Sequence, residues 1–351
     1  MIVPVLLLLS LGITVIFTST SNHSLAFQQT IFAVIGLIGY LGLRSLDLRA
    51  LKVLVKPFYI LVCILLIVVF VLGYETRGSV RWIPLGFFNL QPSEMAKLSL
   101  IMSLGVFWGD KKTTWRNIFL SFLIFLPFGI LVFKQPDLGT TLTLGCIWLF
   151  MLAAANIGMV KSGILGILGI LVLPVMWFLL KDYQRLRFLS FLYPNHDPLG
   201  VGYNVIQSTI AVGSGEFWGR GLGRGTQSRL QFLPEFRTDF IFAFIGEELG
   251  FIGTIIVLSL YSIIFYLLFA TLIRVENRFG ELIVMGVIGM LFFQVVVNIG
   301  MNIGIMPITG ITLPFLSYGG SSIIISLLSL GLAASVNRWG LREKEIPVFG
   351  I

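Results

Sequence analysis

Charged side chains are scarce in this chain. Asp, Glu, Lys and Arg make up 11% of its 351 residues, against about 25% in soluble domains. Segments of alternating polarity, typical of membrane β-strands, are also missing. Apolar runs of about 20 residues recur instead, and each is long enough to cross a bilayer as a helix. Because lipid offers no hydrogen bonds to the backbone, this composition predicts an all-α polytopic membrane protein.

Thiol and metal sites lack the residues that they need. The two cysteines, Cys63 and Cys146, fall within apolar runs, and the two histidines, His23 and His196, lie far apart in loops. We therefore expect packing cysteines without a disulfide, and no His/Cys metal cluster. The first apolar run has no basic segment before it and no A-x-A cleavage site, so it predicts a spanning helix and not a signal peptide.

Ten candidate spans follow from the apolar runs: 2–20, 25–43, 57–73, 93–109, 117–134, 138–156, 162–180, 241–272, 280–303 and 314–337. If the N-terminus is cytoplasmic, the inner connections and the tail carry thirteen Lys and Arg residues and the short outer connections carry three. The positive-inside rule thus places both termini in the cytoplasm. Within this single domain, 1–351, the long outer connection at 181–240 is of a length that often indicates function.

Charges beside the fourth span form a first cluster. Glu94 and Lys97 are three residues apart, so they share one helix face and can pair. Arg77 and Arg81 lie in the short outer connection just before them. Charges at membrane depth call for a partner or a role, and an ion pair that only fixes helix packing fits the same spacing.

Asp137 opens the sixth span, where the helix dipole and free N–H groups favour an acidic residue. Capping alone would explain this position. A functional role is the alternative, since a carboxylate here also faces the outer side of the predicted bundle.

The long outer connection is rich in Gly and Arg. Arg220 and Arg224 stand among the glycines of 219–225, where consecutive N–H groups can bind an anion, but no Gly-Lys-Ser/Thr follows as in a Walker loop. Further on, Asp239 precedes an apolar run, and it or Thr238 could simply cap the eighth span. Deeper in that span, the carboxylates at 247–248 could pair with an arginine or be protonated.

The segment 307–322 is uncharged and broken by Pro and Gly, which predicts an irregular backbone that is either buried in protein or lines a polar cavity. Ser321 and Ser322 could cap the tenth span and offer N–H groups to an anion. Carboxylates, cations and glycines thus gather near the outer face. This combination suits a ligand with phosphate and sugar groups on a lipid tail.

These clusters together resemble the SEDS family (shape, elongation, division and sporulation). The matching stretches run in order through nearly the whole chain: Arg81-Trp82-Ile83; Gln91-Pro92-Ser93-Glu94 with Lys97; Gln135-Pro136-Asp137-Leu138-Gly139-Thr140; Gly225-Thr226-Gln227; Phe232-Leu233-Pro234-Glu235; Thr238-Asp239-Phe240-Ile241-Phe242-Ala243; Gly246-Glu247-Glu248-Leu249-Gly250; and Pro314 to Ser322. Residues 206–208, 213–215 and 307–310 favour the elongation branch, although Glu216 stands where the resemblance would place another glycine.

The resemblance implies ten transmembrane helices and the activity of a peptidoglycan glycosyltransferase that polymerises lipid II. The expected partner is a class B penicillin-binding protein, and no binding of nucleic acid is expected. The resemblance maps the family's essential aspartate to Asp239, the expected general base, and its polar pair to Glu94 and Lys97. Candidate cations for the leaving diphosphate are Arg77, Arg81, Lys97, Arg220 and Arg224.

A divalent cation such as Mg²⁺, held by a carboxylate, is compatible with the same residues. Asp137 would bind it or hold the outer loops. Two alternatives to the polymerase remain at this point: a flippase for lipid II, and a non-catalytic scaffold for the penicillin-binding protein.

Overall fold

A computed structural model describes residues 1–19, 23–76, 79–84, 86, 89–193, 202–229, 232–233 and 235–340, and the fold is 77% helical. The helices, in chain order, are α1 (Ile2–Thr18), α2 (Ser24–Ser45), α3 (Leu48–Leu72), α4 (Pro92–Gly109), α5 (Trp115–Lys134), α6 (Leu138–Ala154), α7 (Met159–Leu179), α8 (Asp182–Leu192), α9 (Tyr203–Ser214), α10 (Thr226–Arg229), α11 (Ile241–Arg274), α12 (Arg278–Asn302) and α13 (Gly320–Trp339).

Six of the described helices are long and apolar enough to cross a membrane: α2, α3, α5, α11, α12 and α13. Shorter apolar stretches lie in α1, α6 and α7. α12 and α13 lie at the centre of the bundle. The apolar stretches of these two helices are 72% and 78% buried, whereas that of α3 is 22% buried. Helices this enclosed pack against protein on nearly all sides, whereas the others leave one face toward lipid.

Two predicted spans differ from the helices in where they begin. α3 begins at Leu48, well before the predicted start at 57, because the Asp47 side chain accepts the N–H of Arg49 at 3.3 Å and caps the helix there. Pro57 lies inside this helix. α13 begins at Gly320 rather than at 314, since the irregular segment predicted there includes Phe315 at a φ of +67°.

A small antiparallel sheet makes the all-α prediction incomplete. Its strands are β1 (Tyr74–Thr76), β2 (Ser79–Pro84) and β3 (Asn89–Leu90), in the order β1-β2-β3. Tyr74 lies opposite Trp82, and Ile83 lies opposite Leu90. The sheet spans the connection from α3 to α4 and carries Arg81 on its middle strand.

The unusually long predicted eighth span is a kinked helix. Gly250 in α11 has a φ of +63°, and the chain after α9 docks on this kink. The N–H groups of residues 220 and 221 donate to the carbonyls of Glu247 and Glu248, at 3.0 and 2.9 Å. In return, the N–H groups of 251 and 252 donate to the carbonyls of 216 and 217, at 2.9 and 3.3 Å. The loop therefore satisfies backbone groups that the kink releases from the helix.

Candidate functional site

Asp239 lies in a tight turn just before α11. The consecutive N–H groups of residues 238–240 all donate to the carbonyl oxygen of Glu235, at 3.1, 3.1 and 3.3 Å. Glu235 has a φ of +59°, a backbone conformation that is costly for a residue with a side chain. The N-cap of α11 is Phe240, which makes no side-chain cap. The prediction that Thr238 or Asp239 is the N-cap is therefore wrong.

Two buried asparagines of α12 hold the backbone at Asp239. Asn298 Nδ2 donates to the carbonyl of Asp239 at 2.9 Å and to that of Ile311 at 2.7 Å. Asn302 Nδ2 donates to the same Asp239 carbonyl at 3.0 Å, and its Oδ1 accepts an N–H from the first turn of α11 at 3.0 Å. Both asparagines are fully buried. They tie Asp239 to α11 and to the irregular segment before α13.

A cavity of about 720 Å³ opens beside Asp239, within the size range of small-molecule sites. Residues of α2, β2, α4, α6, α8, α12 and the segment before α13 form its walls. Five of the residues singled out from the sequence line it: Arg81, Glu94, Asp137, Asp239 and Ser322. Polar groups that are distant in sequence thus converge on one concave surface.

The pair predicted in α4 is present. Lys97 Nζ lies 2.7 Å from Glu94 Oε2, and the residues are 1% and 5% exposed. Glu94 lines the cavity, whereas Lys97 is not among the lining residues. Lys97 therefore lies behind Glu94, and it orients this carboxylate instead of facing the cavity itself.

Asp137 both caps α6, as predicted, and lines the cavity. Its Oδ1 accepts the N–H of Thr140 at 3.1 Å. Its Oδ2 accepts from Gln91 Nε2 and Ser93 Oγ, both at 3.3 Å. The carboxylate thus joins the beginnings of α4 and α6, which agrees with the alternative in which it holds the outer loops.

Arg81 is anchored to the connection before α6. Its Nε donates to the carbonyl of Gln135 at 3.0 Å, and its Nη2 donates to the carbonyl of Pro136. Its Nη1 lies 3.8 Å from Asp137 Oδ1. Although Arg81 lines the cavity, its guanidinium is held in place by two backbone carbonyls and by the charge of Asp137.

The two serines of α13 have different environments. Ser321 Oγ accepts the N–H of Gln91 at 3.1 Å and donates to the carbonyl of Asn89 at 3.2 Å, so it attaches α13 to β3 and α4. Ser322 lines the cavity, and its Oγ shares a hydrogen bond of 2.7 Å with Thr312 Oγ1. The N-cap of α13 is Gly319 without a side-chain cap, so the predicted capping by these serines is wrong.

Arg220 and Arg224 are not brought to this cavity. Both are exposed and lie on the loop that docks on α11. Arg220 Nε donates to the carbonyl of Ser214 at 3.1 Å. The nearby carboxylates of Glu247 and Glu248 accept backbone N–H groups of the same loop at 2.9 and 2.7 Å. In the described part of the chain, this loop therefore has a structural role, which is to attach to α11. Arg77, the other arginine predicted to bind the ligand, lies outside the described residues.

Sequence reasoning gave no role to several residues that line the cavity, among them Gln28, Tyr183 and Arg187. Thr312 and Tyr318, which also line it, lie in the segment 307–322 whose irregular backbone was predicted. Tyr183 and Arg187 are four residues apart on α8, and the Arg187 guanidinium lies 5.8 Å from the centre of the Tyr183 ring. Their helical spacing was the available signal. It was hidden because 181–240 as a whole shows no clear hydrophobic period.

Tyr318 and Gln28 form a contact at the cavity wall between α2 and the segment before α13. The Tyr318 hydroxyl donates to Gln28 Oε1 at 2.6 Å. Burial raises the pKa of Tyr318, partly offset by the positive charge of Arg237. The hydroxyl therefore stays protonated, and a donor, throughout the physiological pH range.

The donor set does not form a protein-held metal site. Within the described ranges, no group of three or more His, Cys, Asp and Glu side chains lies close enough to hold a metal ion. The same residues contain Cys63 and Cys146 as separate free thiols, as predicted. Glu94 and Asp137 are instead occupied by Lys97 and by the caps described above.

Comparison with known proteins places the chain among cell-wall enzymes. Residues 1–340 match the model of the FtsW, RodA and SpoVE family of cell cycle proteins. The chain is 36% identical to the peptidoglycan glycosyltransferase MrdB of Escherichia coli K12 over 344 residues, which cover 95% of this chain and 93% of that protein. It is also 36% identical to the stage V sporulation protein E of Bacillus subtilis, with coverages of 97% and 96%.

Solved structures show the same fold. A chain of a peptidoglycan synthase complex that coordinates polymerisation and crosslinking matches with a TM-score of 0.83 and 35% identity, covering 96% of both chains. The rod shape determining protein RodA of Thermus thermophilus matches with a TM-score of 0.73 and 28% identity, covering 97% of this chain and 96% of that one.

Proposed function

Since the chain belongs to the FtsW, RodA and SpoVE family of cell cycle proteins and is a peptidoglycan glycosyltransferase, we propose that it polymerises lipid II in the cavity beside Asp239. The observation that carries this proposal is the convergence of Asp239, Glu94, Asp137 and Arg81 on one cavity. Lipid II is a disaccharide-pentapeptide on a lipid diphosphate. The cavity offers polar side chains for its sugars and lies within a helical membrane bundle that suits its tail.

In the proposed reaction, the growing strand on its lipid diphosphate is the donor and the 4-hydroxyl of an incoming lipid II is the acceptor. The hydroxyl oxygen bonds to the anomeric carbon while the bond from this carbon to the diphosphate oxygen breaks, with inversion. Asp239 takes the hydroxyl proton, and the diphosphate keeps the bonding electron pair. General-base catalysis of this kind contributes roughly 10²–10⁴ in rate.

The rigid attachment of Asp239 supports this role. Its backbone carbonyl accepts from both Asn298 and Asn302, and its N–H donates to Glu235. A base fixed on several elements is already positioned before the substrate binds. Glu94, oriented by Lys97, is proposed to hold a sugar hydroxyl, and Asp137 is proposed to keep the outer connections in place.

For the molecule as a whole we propose a single membrane domain of ten spanning helices, with both termini in the cytoplasm and the cavity at the outer side. The distribution of Lys and Arg supports this orientation. We also propose a class B penicillin-binding protein as the partner and cell-wall elongation as the role. The likeness to a chain of a peptidoglycan synthase complex and to RodA supports both.

The test is polymerisation of purified lipid II by the chain with its penicillin-binding partner, comparing the native protein with Asp239→Asn. We expect glycan ladders only from the native protein, with both versions folded and bound to the partner. Equal rates from both would remove Asp239 as the base. If neither makes ladders but liposomes containing the protein transport lipid II, the flippase replaces the polymerase.

A further inference from the structure

Among the described residues, two cationic side chains line the cavity, Arg81 and Arg187. Arg81 is held by two backbone carbonyls and by Asp137. Lys97 is buried against Glu94 and does not line the cavity. The Arg187 guanidinium, in contrast, makes no hydrogen bond or ion pair with the described part of the chain. It lies over the Tyr183 ring, 5.8 Å from the ring centre.

Arg187 is also next to the proposed base. Gly310 has a φ of +74°, and a Cβ built on it would lie 3.6 Å from Asp239 Oδ2 and 3.7 Å from Arg187 Nη1. The carboxylate and the guanidinium thus both lie against the backbone of Gly310. A guanidinium presents paired N–H donors whose geometry matches phosphate oxygens.

We propose that Arg187 binds the diphosphate of the donor and stabilises the negative charge that this group gains as its bond to the anomeric carbon breaks. This inference rests on the proposed function. It identifies the leaving-group site as the part of the cavity formed by α8 and Gly310. Since the new negative charge appears on the diphosphate oxygen, a positive group there favours the transition state.

The neighbouring Arg185 provides a matched control on the same helix. Its Nε and Nη2 donate to the carbonyls of Trp177 and Phe178, at 3.0 and 2.9 Å, so it serves the junction of α7 and α8. It does not line the cavity. Replacing Arg185 removes the same charge from the same helix without changing the proposed phosphate site.

The experiment uses the full chain with its penicillin-binding partner and compares Arg187→Gln, Arg187→Lys and Arg185→Gln. The readouts are the lipid II concentration dependence of polymerisation and inhibition by undecaprenyl diphosphate, which resembles only the leaving group. We expect Arg187→Gln to raise both KM and the inhibition constant by about tenfold to 100-fold, because a charge-assisted hydrogen bond is lost. Arg187→Lys should be intermediate, since it keeps the charge but loses the paired donors. Arg185→Gln should leave both constants unchanged.

Several outcomes would overturn the proposal. An unchanged inhibition constant with a raised KM would assign Arg187 to the acceptor's diphosphate. Unchanged values for both would remove it from the site, while the polymerase itself would stand. A fall in kcat alone, with KM and the inhibition constant unchanged, would mean that Arg187 does not bind the diphosphate before the reaction, and the binding part of the proposal would fail. If Arg187→Gln fails to fold, Arg187→Lys decides, and if the native protein makes no strands the proposed function fails first.

Discussion

At the scale of single residues, the cavity contains charges with two different duties. Arg81 and Lys97 are engaged by carbonyls and carboxylates of the protein, so they shape the walls. Arg187 keeps its guanidinium for a ligand, and Asp239 is fixed through its backbone instead of through a cap. A cation in the sequence is therefore a poor indicator of substrate contact until its local partners are known.

The buried pair in α4 leads to a stability prediction. Lys97→Met leaves the Glu94 carboxylate, which is 5% exposed, without its partner, and breaking a buried pair in this way costs about 3–5 kcal/mol. The double variant Glu94→Gln/Lys97→Met should recover most of this loss. Thermal unfolding in detergent measures both. Equal losses for the single and the double variant would contradict the expectation.

The asparagines of α12 lead to a kinetic prediction. Asn298→Ala removes three buried hydrogen bonds, one of them to the backbone of Asp239. We expect kcat to fall by about tenfold to 100-fold with little change in KM, because a small displacement of the base is costly. Ser329→Ala, which removes a buried hydrogen bond within α13, is the control. Parallel losses of stability and activity in both variants would indicate a purely structural effect.

The residues of the site could be predicted to different degrees. Asp239, Glu94 and Asp137 were found because they stand beside or within apolar runs, where a charge is conspicuous, and because they match a family pattern. Arg187 was missed because it lies in the long outer connection, which shows no clear hydrophobic period. Arg220 and Arg224 were expected at the ligand because a Gly-rich segment suits an anion. In the structure, the N–H groups of this segment instead bind the carbonyls and carboxylates of α11.

At the scale of elements, the loop after α9 packs so closely against the kink of α11 that side chains would not fit between the two backbones. Gly215 faces the carbonyl of Gly246, and Gly219 faces the carbonyl of Glu248. Glu216, where the family resemblance suggested another glycine, has a φ of +49°. Glycine is the residue that adopts such a conformation without cost, so Glu216 holds a backbone conformation for which glycine is better suited.

Two glycines near this contact should respond in opposite ways. A Cβ at Gly215 would collide with the carbonyl oxygen of Gly246, whereas a Cβ at Gly213 meets nothing within 4 Å. Gly215→Ala should therefore destabilise the protein by roughly 1–3 kcal/mol. Gly213→Ala, within α9, should be neutral or slightly stabilising because alanine favours a helix. Thermal unfolding of both variants tests this, and equal shifts would contradict it.

Hydropathy located the long helices but not the elements between them. The sheet of β1, β2 and β3 was missed because its strands are short and lie in a connection that the spans leave unassigned. The start of α3 was missed because the basic residues before Pro57 are typical of a connection between two helices. They mark the membrane surface, but the helix itself begins before them. The capping residue Asp47 was the better signal for that boundary.

At the scale of the whole molecule, the first and last helices of the site depend on each other. α2 packs along α13, and Gln29, fully buried, donates to the carbonyls of Leu316 and Ser317 at 3.3 Å. Gln28 accepts from Tyr318 at the cavity wall. This part of the cavity wall therefore requires both α2 and the segment before α13.

This dependence can be measured by a double-mutant cycle. Tyr318→Phe and Gln28→Ala remove the same hydrogen bond, so the double variant should lose about 0.5–1.5 kcal/mol less stability than the sum of the single variants. Thermal unfolding of the three variants in one detergent gives the coupling. Additive losses would mean that the two side chains act independently.

The separation between Tyr318 and Gln28 also sets the timing of activity during biosynthesis. They are 290 residues apart, and at roughly 5–20 residues per second a ribosome needs about 15–60 s to bridge that interval. Throughout this time the early helices already exist, but the cavity has no wall at α13. We therefore expect that a nascent chain cannot begin a glycan strand before Tyr318 and α13 have been made, and that chains released before Tyr318 are inactive.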